Sequence, residues 1–299
     1  MNIIGNRKIF LSLSGILVAA SILSVVVFGF QQGIDFVGGT LWQMKFTEQQ
    51  LNEQDLKGAF SELGVGDAVV TREITTQSLL VRLKTISEED HQKYLGELTQ
   101  KFGAVDELRY ESIGPSIGAE LRKDAFTAVV MVIVAISLYI SFAFRKVSYP
   151  VSSWKYGLIT LVTLFHDVAI PAGLFAILGT LKGVEVDTNF IVALLVVMGF
   201  SVHDTIVVFD RIRENLLLSK RDTSLGDTVN KSINETFVRS VNTSLTLILI
   251  LLTMYFFGPA VLQYFILAIL VGTIFGTYSS IFIASPLLVV WHNFGARRK

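Results

Sequence analysis

The chain has 299 residues, 52% of them hydrophobic and 17% charged, with a mean hydropathy of +0.58 and a formal net charge of +0. That balance excludes an ordinary soluble enzyme and reads as an integral membrane protein, and a neutral chain gives no sign of a nucleic-acid partner. With 0 cysteines, disulfides, thiolate metal sites and a cysteine nucleophile are excluded as well.

The charge is unevenly spread: residues 45–111 hold a large share of it, between long uncharged stretches. Residues 9–30 are uncharged and follow Arg7 and Lys8, long enough to cross a hydrocarbon core of about 30 Å. Ala19-Ala20-Ser21 resembles a signal cleavage site, but the apolar run outlasts a usual signal core, which favours an uncleaved anchor. GIDFVGGT (33–40) then marks the junction between this span and a polar insert; glycine permits the backbone angles of such a corner, and Asp35 reads as a turn residue.

Within the insert, Trp42, Met44 and Phe46 alternate as on a half-buried strand. Thr47 with Gln50 resembles a capping box, followed by Leu56, Ala59, Phe60 and Leu63 at helical spacing until Gly64. Residues 67–74 and 78–84 read as strands joined by a tight Thr75-Thr76-Gln77 turn. A second helix starts at Ser87, with Asp90 three positions on, and ends at Gly103 before a last strand at 105–111. The order β-α-β-β-α-β is the ferredoxin-like arrangement. The expected organisation is therefore 1–30 N-terminus and first span, 31–120 insert, and 121–299 five further spans, near 125–144, 157–178, 190–209, 241–257 and 261–290, the last interrupted by Pro286.

Short connections carrying Arg145, Lys146, Lys155, Arg211, Arg213, Lys220, Arg221, Lys231 and Arg239, together with the Arg297-Arg298-Lys299 tail, place both termini in the cytoplasm and the insert outside. Trp154, Tyr156 and Trp291 fit interface anchors.

Several polar groups fall where apolar ones are expected. Asp167 lies near the centre of the third span with Thr160 and Thr163 on one stripe; an ionisable group there costs about 2.5–3.5 kcal/mol on insertion scales, so it should face the bundle interior. A simple helix–helix hydrogen bond is the plainer reading of the same residue. His166 is adjacent but about 100° round the helix. Asp204, flanked by Ser201 and Thr205, lies nearer the cytoplasmic end of the fourth span. Asp210, Arg211, Arg213 and Glu214 read as a solvated, self-paired helix end. Arg239 opens the fifth span at a depth like that of Asp204, within pairing distance, with Asn242, Thr243 and Thr246 continuing its polar face; snorkelling to membrane lipid is the alternative. Buried acids facing an arginine form a proton relay in outline.

GIDFVGGT, IGPSIGAELRKDA (113–125), LFHDVAIPAG (164–173), GFSVHDTIVVFDRIREN (199–215) and VRSVNTSLTLI (238–248) together resemble the SecF family of bacterial protein-export membrane proteins. The resemblance implies a six-helix, RND-like half bundle with a periplasmic ferredoxin-like domain in the bacterial inner membrane. Implied partners are SecD, the SecYEG channel with YajC or YidC, and a translocating preprotein moved outward at the expense of the proton-motive force. It implies protons as coupling ion, no other cofactor, no metal and no enzymatic activity. Carried over by motif, Asp204 is the transmembrane acid, Arg239 its basic partner, and Asp35, Gly38 and Gly39 the structural DFxGG element. Asp167 follows the family's His-Asp pair. His203 stands where the family usually has Asn, either as a further titrating group or as a neutral hydrogen-bonding one.

Three other readings compete. An intramembrane aspartyl protease would use Asp167 and Asp204, but its glycine-flanked motif is absent. A stand-alone proton-coupled exporter of small molecules or lipids would need a duplicated half, and no internal repeat is visible. A metal site from His166, Asp167, His203 and Asp204 is disfavoured because neighbouring helical residues diverge.

Overall fold

This computed structural model describes residues 1–48, 51–73, 76–145, 151–218 and 224–296. Two compact units result: residues 32–126, and residues 1–31 together with 127–299.

The smaller unit opens with a single helical turn, α2 (Ile34–Val37), which follows the first long helix α1 (Arg7–Phe28) in the chain. Gly38 (φ 76°, ψ 165°) then turns the chain in a region open almost only to glycine, and a side chain on it would come within 2.8 Å of Pro115 Cα. A Cβ on Gly118 would lie 2.9 Å from the Gly38 nitrogen, so the GIDFVGGT and IGPSIGAE segments meet backbone to backbone. Asp35 sits half-buried in the α2 turn.

Strand β1 (Gly39–Phe46), helix α3 (Glu53–Glu62), strands β2 (Val69–Glu73) and β3 (Ser78–Leu83), helix α4 (Glu88–Phe102) and strand β4 (Val105–Ile113) follow. They form one four-stranded antiparallel sheet in the order β2-β3-β1-β4, with a register shift between Gln43 and Met44 where β1 meets β4. Trp42, Met44, Leu79 and Val81 project from one sheet face into a core shared with Leu56, Phe60 and Leu98 of the two helices, as period-2 and helical spacing require. Trp42 is fully buried and donates Nε1–H to Glu107 Oε2 at 2.8 Å; the same oxygen lies 2.7 Å from His91 Nε2, whose ring stacks on Tyr110.

The first cap differs from the expected one. Asn52 caps α3, accepting from the Asp55 amide at 2.8 Å while Asp55 Oδ2 accepts from the Asn52 amide at 3.0 Å. Thr47 instead bonds the Ala104 carbonyl, and Gln50, its expected partner, lies outside the described residues. Ser87 caps α4 as its spacing suggests, accepting from the Asp90 amide at 3.1 Å. In the β2–β3 turn, Gln77 takes a positive φ of 52°, whereas Ile74 and Thr75 lie outside the described residues.

Among the described residues, six helical stretches are long and apolar enough to cross a membrane. After α1 come α5 (Pro115–Ala143), α6 (Ser153–Lys182), α7 (Thr188–Leu218) and α8 (Leu225–Phe257). The sixth stretch is composite: a 3₁₀ turn (Ala260–Leu262), α9 (Gln263–Ser279), a π turn (Ser280–Ala284) and α10 (Ser285–Ala296). The interruption expected from Pro286 is thus realised as a π turn immediately upstream. Helices α7 and α8 run well past the apolar cores read from the sequence, because i,i+3 pairs such as Arg211–Glu214 and the Ser224 cap on the Asp227 amide hold their polar ends helical.

Close helix packing uses small residues. A Cβ on Gly272 would come within 2.3 Å of Val197, and one on Gly276 within 3.0 Å of Ser201 Cβ, so α9 lies directly on α7. Tyr156 is not an interface anchor: it is fully buried, stacked on Phe144 at 5.1 Å and edge-on to Phe209 at 5.1 Å. Trp154 and Trp291 pair at 5.5 Å. Met1 donates its amino group to Asn234 on α8 at 2.9 Å, so the N-terminus and the start of α8 share one end of the bundle. Of the residues used to orient the chain, Lys146, Lys220, Arg221 and Arg297–Lys299 lie outside the described residues.

Candidate functional site

Helices α6, α7 and α9 bury their polar residues against one another in the middle of the bundle. Asp167 on α6 is fully buried, and its Oδ2 accepts from Ser201 on α7 and from Ser279 at the end of α9, the latter at 2.7 Å. Its Oδ1 lies 2.8 Å from His166 Nδ1. The two neighbours therefore do share a bond, because a flexible χ1 in each brings side chains together that diverge at Cβ. His166 Nε2 is buried with no hydrogen-bond partner among the described residues, and the ring lies 6.2 Å from that of Tyr278, whose hydroxyl bonds Ser14 and the Phe10 carbonyl of α1.

Asp204 on α7 is 5% exposed and accepts from Ser280, the first residue of the π turn. Two consecutive hydroxyls, Ser279 and Ser280, thus serve the two acids. Around them, Thr205 and Thr273 have buried hydroxyls without partners among the described residues, and the buried hydroxyl of Ser240 on α8 faces Asp204. Thr160 and Thr163, expected to extend the stripe of Asp167, are buried but bond carbonyls of their own helix.

Arg239 does not pair with Asp204. No ion pair to Asp204 exists among the described residues, and Arg239 is exposed on the outer face of α8, about 100° round from buried Ser240. The rotation of the helix turns the guanidinium outward. Asn242, Thr243 and Thr246 share that outer face, and His203 is likewise exposed on α7.

Arg239 lines a cleft of about 330 Å³ with Asp210, Arg211, Glu214, Glu235 and Thr236. There Arg211 bonds Glu235 at 2.7 Å and Glu214 at 2.6 Å, while Arg213 reaches Asp210 at 3.4 Å. The self-paired helix end is thereby tied across to α8, with Asn215 bonding Glu235 at 2.7 Å and Ser232 at 2.9 Å. Glu235, Asn215, Ser279 and Ser280 escaped the sequence reading. Glu235 alone carried a signal, as the i+4 partner of Lys231. Among the described residues no three His, Asp or Glu side chains converge to hold a metal ion.

A bundle of membrane-length helices with two interior carboxyl groups on facing helices, carrying a small α+β unit on its first connection, defines a polytopic membrane protein. The model of the protein export membrane protein SecD/SecF C-terminal region matches residues 94–294, and that of the SecD/SecF GG motif matches residues 23–50. The chain belongs to this SecD/SecF family of protein export membrane proteins. It is 43% identical to the protein translocase subunit SecF of Thermobaculum terrenum, over 98% of this chain and 94% of that one. It is 38% identical to SecF of Anaerolinea thermophila, over 98% of this chain and 94% of that one. The crystal structure of SecDF from Thermus thermophilus, a translocon-associated membrane protein, superposes with a TM-score of 0.83 at 37% identity, covering 98% of this chain and 39% of the longer SecDF chain. The chain is accordingly a SecF-type protein translocase subunit that spans about two-fifths of that SecDF chain.

Proposed function

We propose that this chain pairs with SecD in the bacterial inner membrane and uses proton movement down the proton-motive force to promote preprotein export through SecYEG. The observation that carries this reading is Asp204, buried among helices without a cationic partner among the described residues and held by a hydroxyl that can donate or accept. One proton crossing 100 mV releases about 2.3 kcal/mol, enough to bias a two-state helix bundle. The chain acts by this conformational cycle rather than by covalent catalysis, with the proton as coupling ion and no other cofactor.

Pairing with SecD is supported by the outward polar face of α7 and α8. Asn242 and His203 are exposed where a span would meet hydrocarbon, and Arg239 is exposed at the edge of the Asp210–Glu235 cleft; a second bundle would supply polar partners there, an acid for Arg239 included. The fused SecDF relative supports the same arrangement. The element order and strand order of the smaller unit fit a ferredoxin-like domain, which we place in the periplasm at 31–120 with both termini cytoplasmic, and the bundle reads as an RND-like half. The test is Asp204→Asn in inverted membrane vesicles: export stimulated by a proton gradient should be lost while the complex with SecD still co-purifies. Full stimulation in that variant overturns the reading.

A further inference from the structure

Each of the two serines at the start of the π turn has a choice of acceptor. Ser279 Oγ lies 2.7 Å from Asp167 Oδ2 and 3.0 Å from the Gly276 carbonyl oxygen. Ser280 Oγ bonds Asp204 Oδ2 and lies 2.9 Å from the Thr277 carbonyl oxygen. A hydroxyl carries one proton and two lone pairs, so it donates to one acceptor at a time. Opposite a carboxylate it donates to the carboxylate. Opposite a carboxylic acid it accepts from that acid and turns its own proton onto the carbonyl. Each serine therefore has two settings, fixed by whether its acid holds a proton.

The two settings are not independent. The serines are consecutive, their alternative acceptors Gly276 and Thr277 are consecutive, and all four belong to the turn in which α9 gives way to the π turn. The Ser280 amide already bonds the Gly276 carbonyl, and Ser285 Oγ lies 3.3 Å from the Ser280 carbonyl oxygen, so any change in the use of these carbonyls falls on one short backbone segment. Such π insertions are irregular and recur at functional sites.

We propose that Ser279 and Ser280 are a coupled positioning pair that transmits proton uptake at Asp204 to Asp167 through the π turn. This rests on the proton-carrying reading of Asp204 given above. The step balances simply: one proton joins Asp204, the new O–H donates to Ser280 Oγ, the Ser280 O–H moves to the Thr277 carbonyl, and no other covalent bond changes. The other titratable or charged groups near the pair are His166 on α6, bonded to Asp167, and Tyr278 on α9, whose ring lies over that of His166. His203 adjoins Asp204 and Arg239 adjoins Ser240 on α8, both exposed. Ser201 offers a second path to Asp167, but it lies on the uninterrupted helix α7.

The experiment is infrared difference spectroscopy of the full chain, reconstituted with SecD in liposomes and stepped in pH, with carboxyl bands assigned by Asp167→Asn and Asp204→Asn. With both serines in place, Asp204→Asn should shift the Asp167 band. In Ser279→Ala/Ser280→Ala the same substitution should leave that band unmoved, and gradient-stimulated export should fall about tenfold, the scale of one lost hydrogen bond to a charged group. Either single alanine variant should also break transmission, so a poorly folding double variant does not decide the matter, and Ser280→Thr, which keeps the hydroxyl, should retain it. An equal shift with and without the serines, or none in the wild type, overturns the coupled pair. If Asp204→Asn keeps full stimulated export, the proton-carrying reading fails instead.

Discussion

Arg239 illustrates how a single side chain divides two accounts of the outer face. If it meets a carboxylate of SecD, Arg239→Met should remove most gradient-stimulated export and Arg239→Lys should keep a larger share, since both retain the stem but only lysine retains charge. Equal tolerance in a vesicle export assay would leave it a lipid-facing snorkeller. A second residue-scale expectation concerns Glu107, whose single oxygen is shared by Trp42 Nε1 at 2.8 Å and His91 Nε2 at 2.7 Å. Glu107→Leu strands both partners in a buried setting and should destabilise the smaller unit by about 1–3 kcal/mol, read as faster hydrogen exchange along α4. Both groups lie far apart in sequence, which is why neither periodicity nor local motif pointed to their meeting.

Helix α9 owes its position to what it lacks. A valine at Gly272 would drive carbon into Val197 of α7, forcing the helices apart and displacing the serines that follow by two turns. Gly272→Val should cost about 1–3 kcal/mol in thermal unfolding of the purified chain. Gly199→Ala, with nothing within 4 Å of the added carbon, should stay near neutral. At the junction, Gly38→Ala meets both a backbone clash at Pro115 and a φ of 76°, and a loss of about 1–3 kcal/mol is expected by the same measurement. Gly272 and Gly276 stand four residues apart, one turn of the same helix face, but that this face meets α7 of the same chain depends on the fold.

For the whole molecule, the 0 native cysteines make single-cysteine chemistry clean. His203→Cys and Asn242→Cys, on the exposed face of α7 and α8, should cross-link to SecD in membranes, whereas Val197→Cys, buried under Gly272, should not. Failure of every position on that face to reach SecD would move the partner to another side of the bundle. Cysteines on the smaller unit should likewise reach a stalled preprotein if that unit works at the channel exit, and silence over its whole surface would favour an exporter of small molecules or lipids.

The six candidate spans, the order of strands and helices in the insert and the interior placement of Asp167 and Asp204 were all readable along the chain, because each depends on local quantities: apolar length against bilayer thickness, period, and the cost of a carboxyl group in oil. The azimuth of each helix is not local. Whether Arg239 looks inward, which hydroxyls meet the acids, and where the extra π residue is absorbed are set by how four helices pack together. Serines in spans commonly bond their own backbone, so Ser279 and Ser280 carried no signal until α9 was laid on α6 and α7.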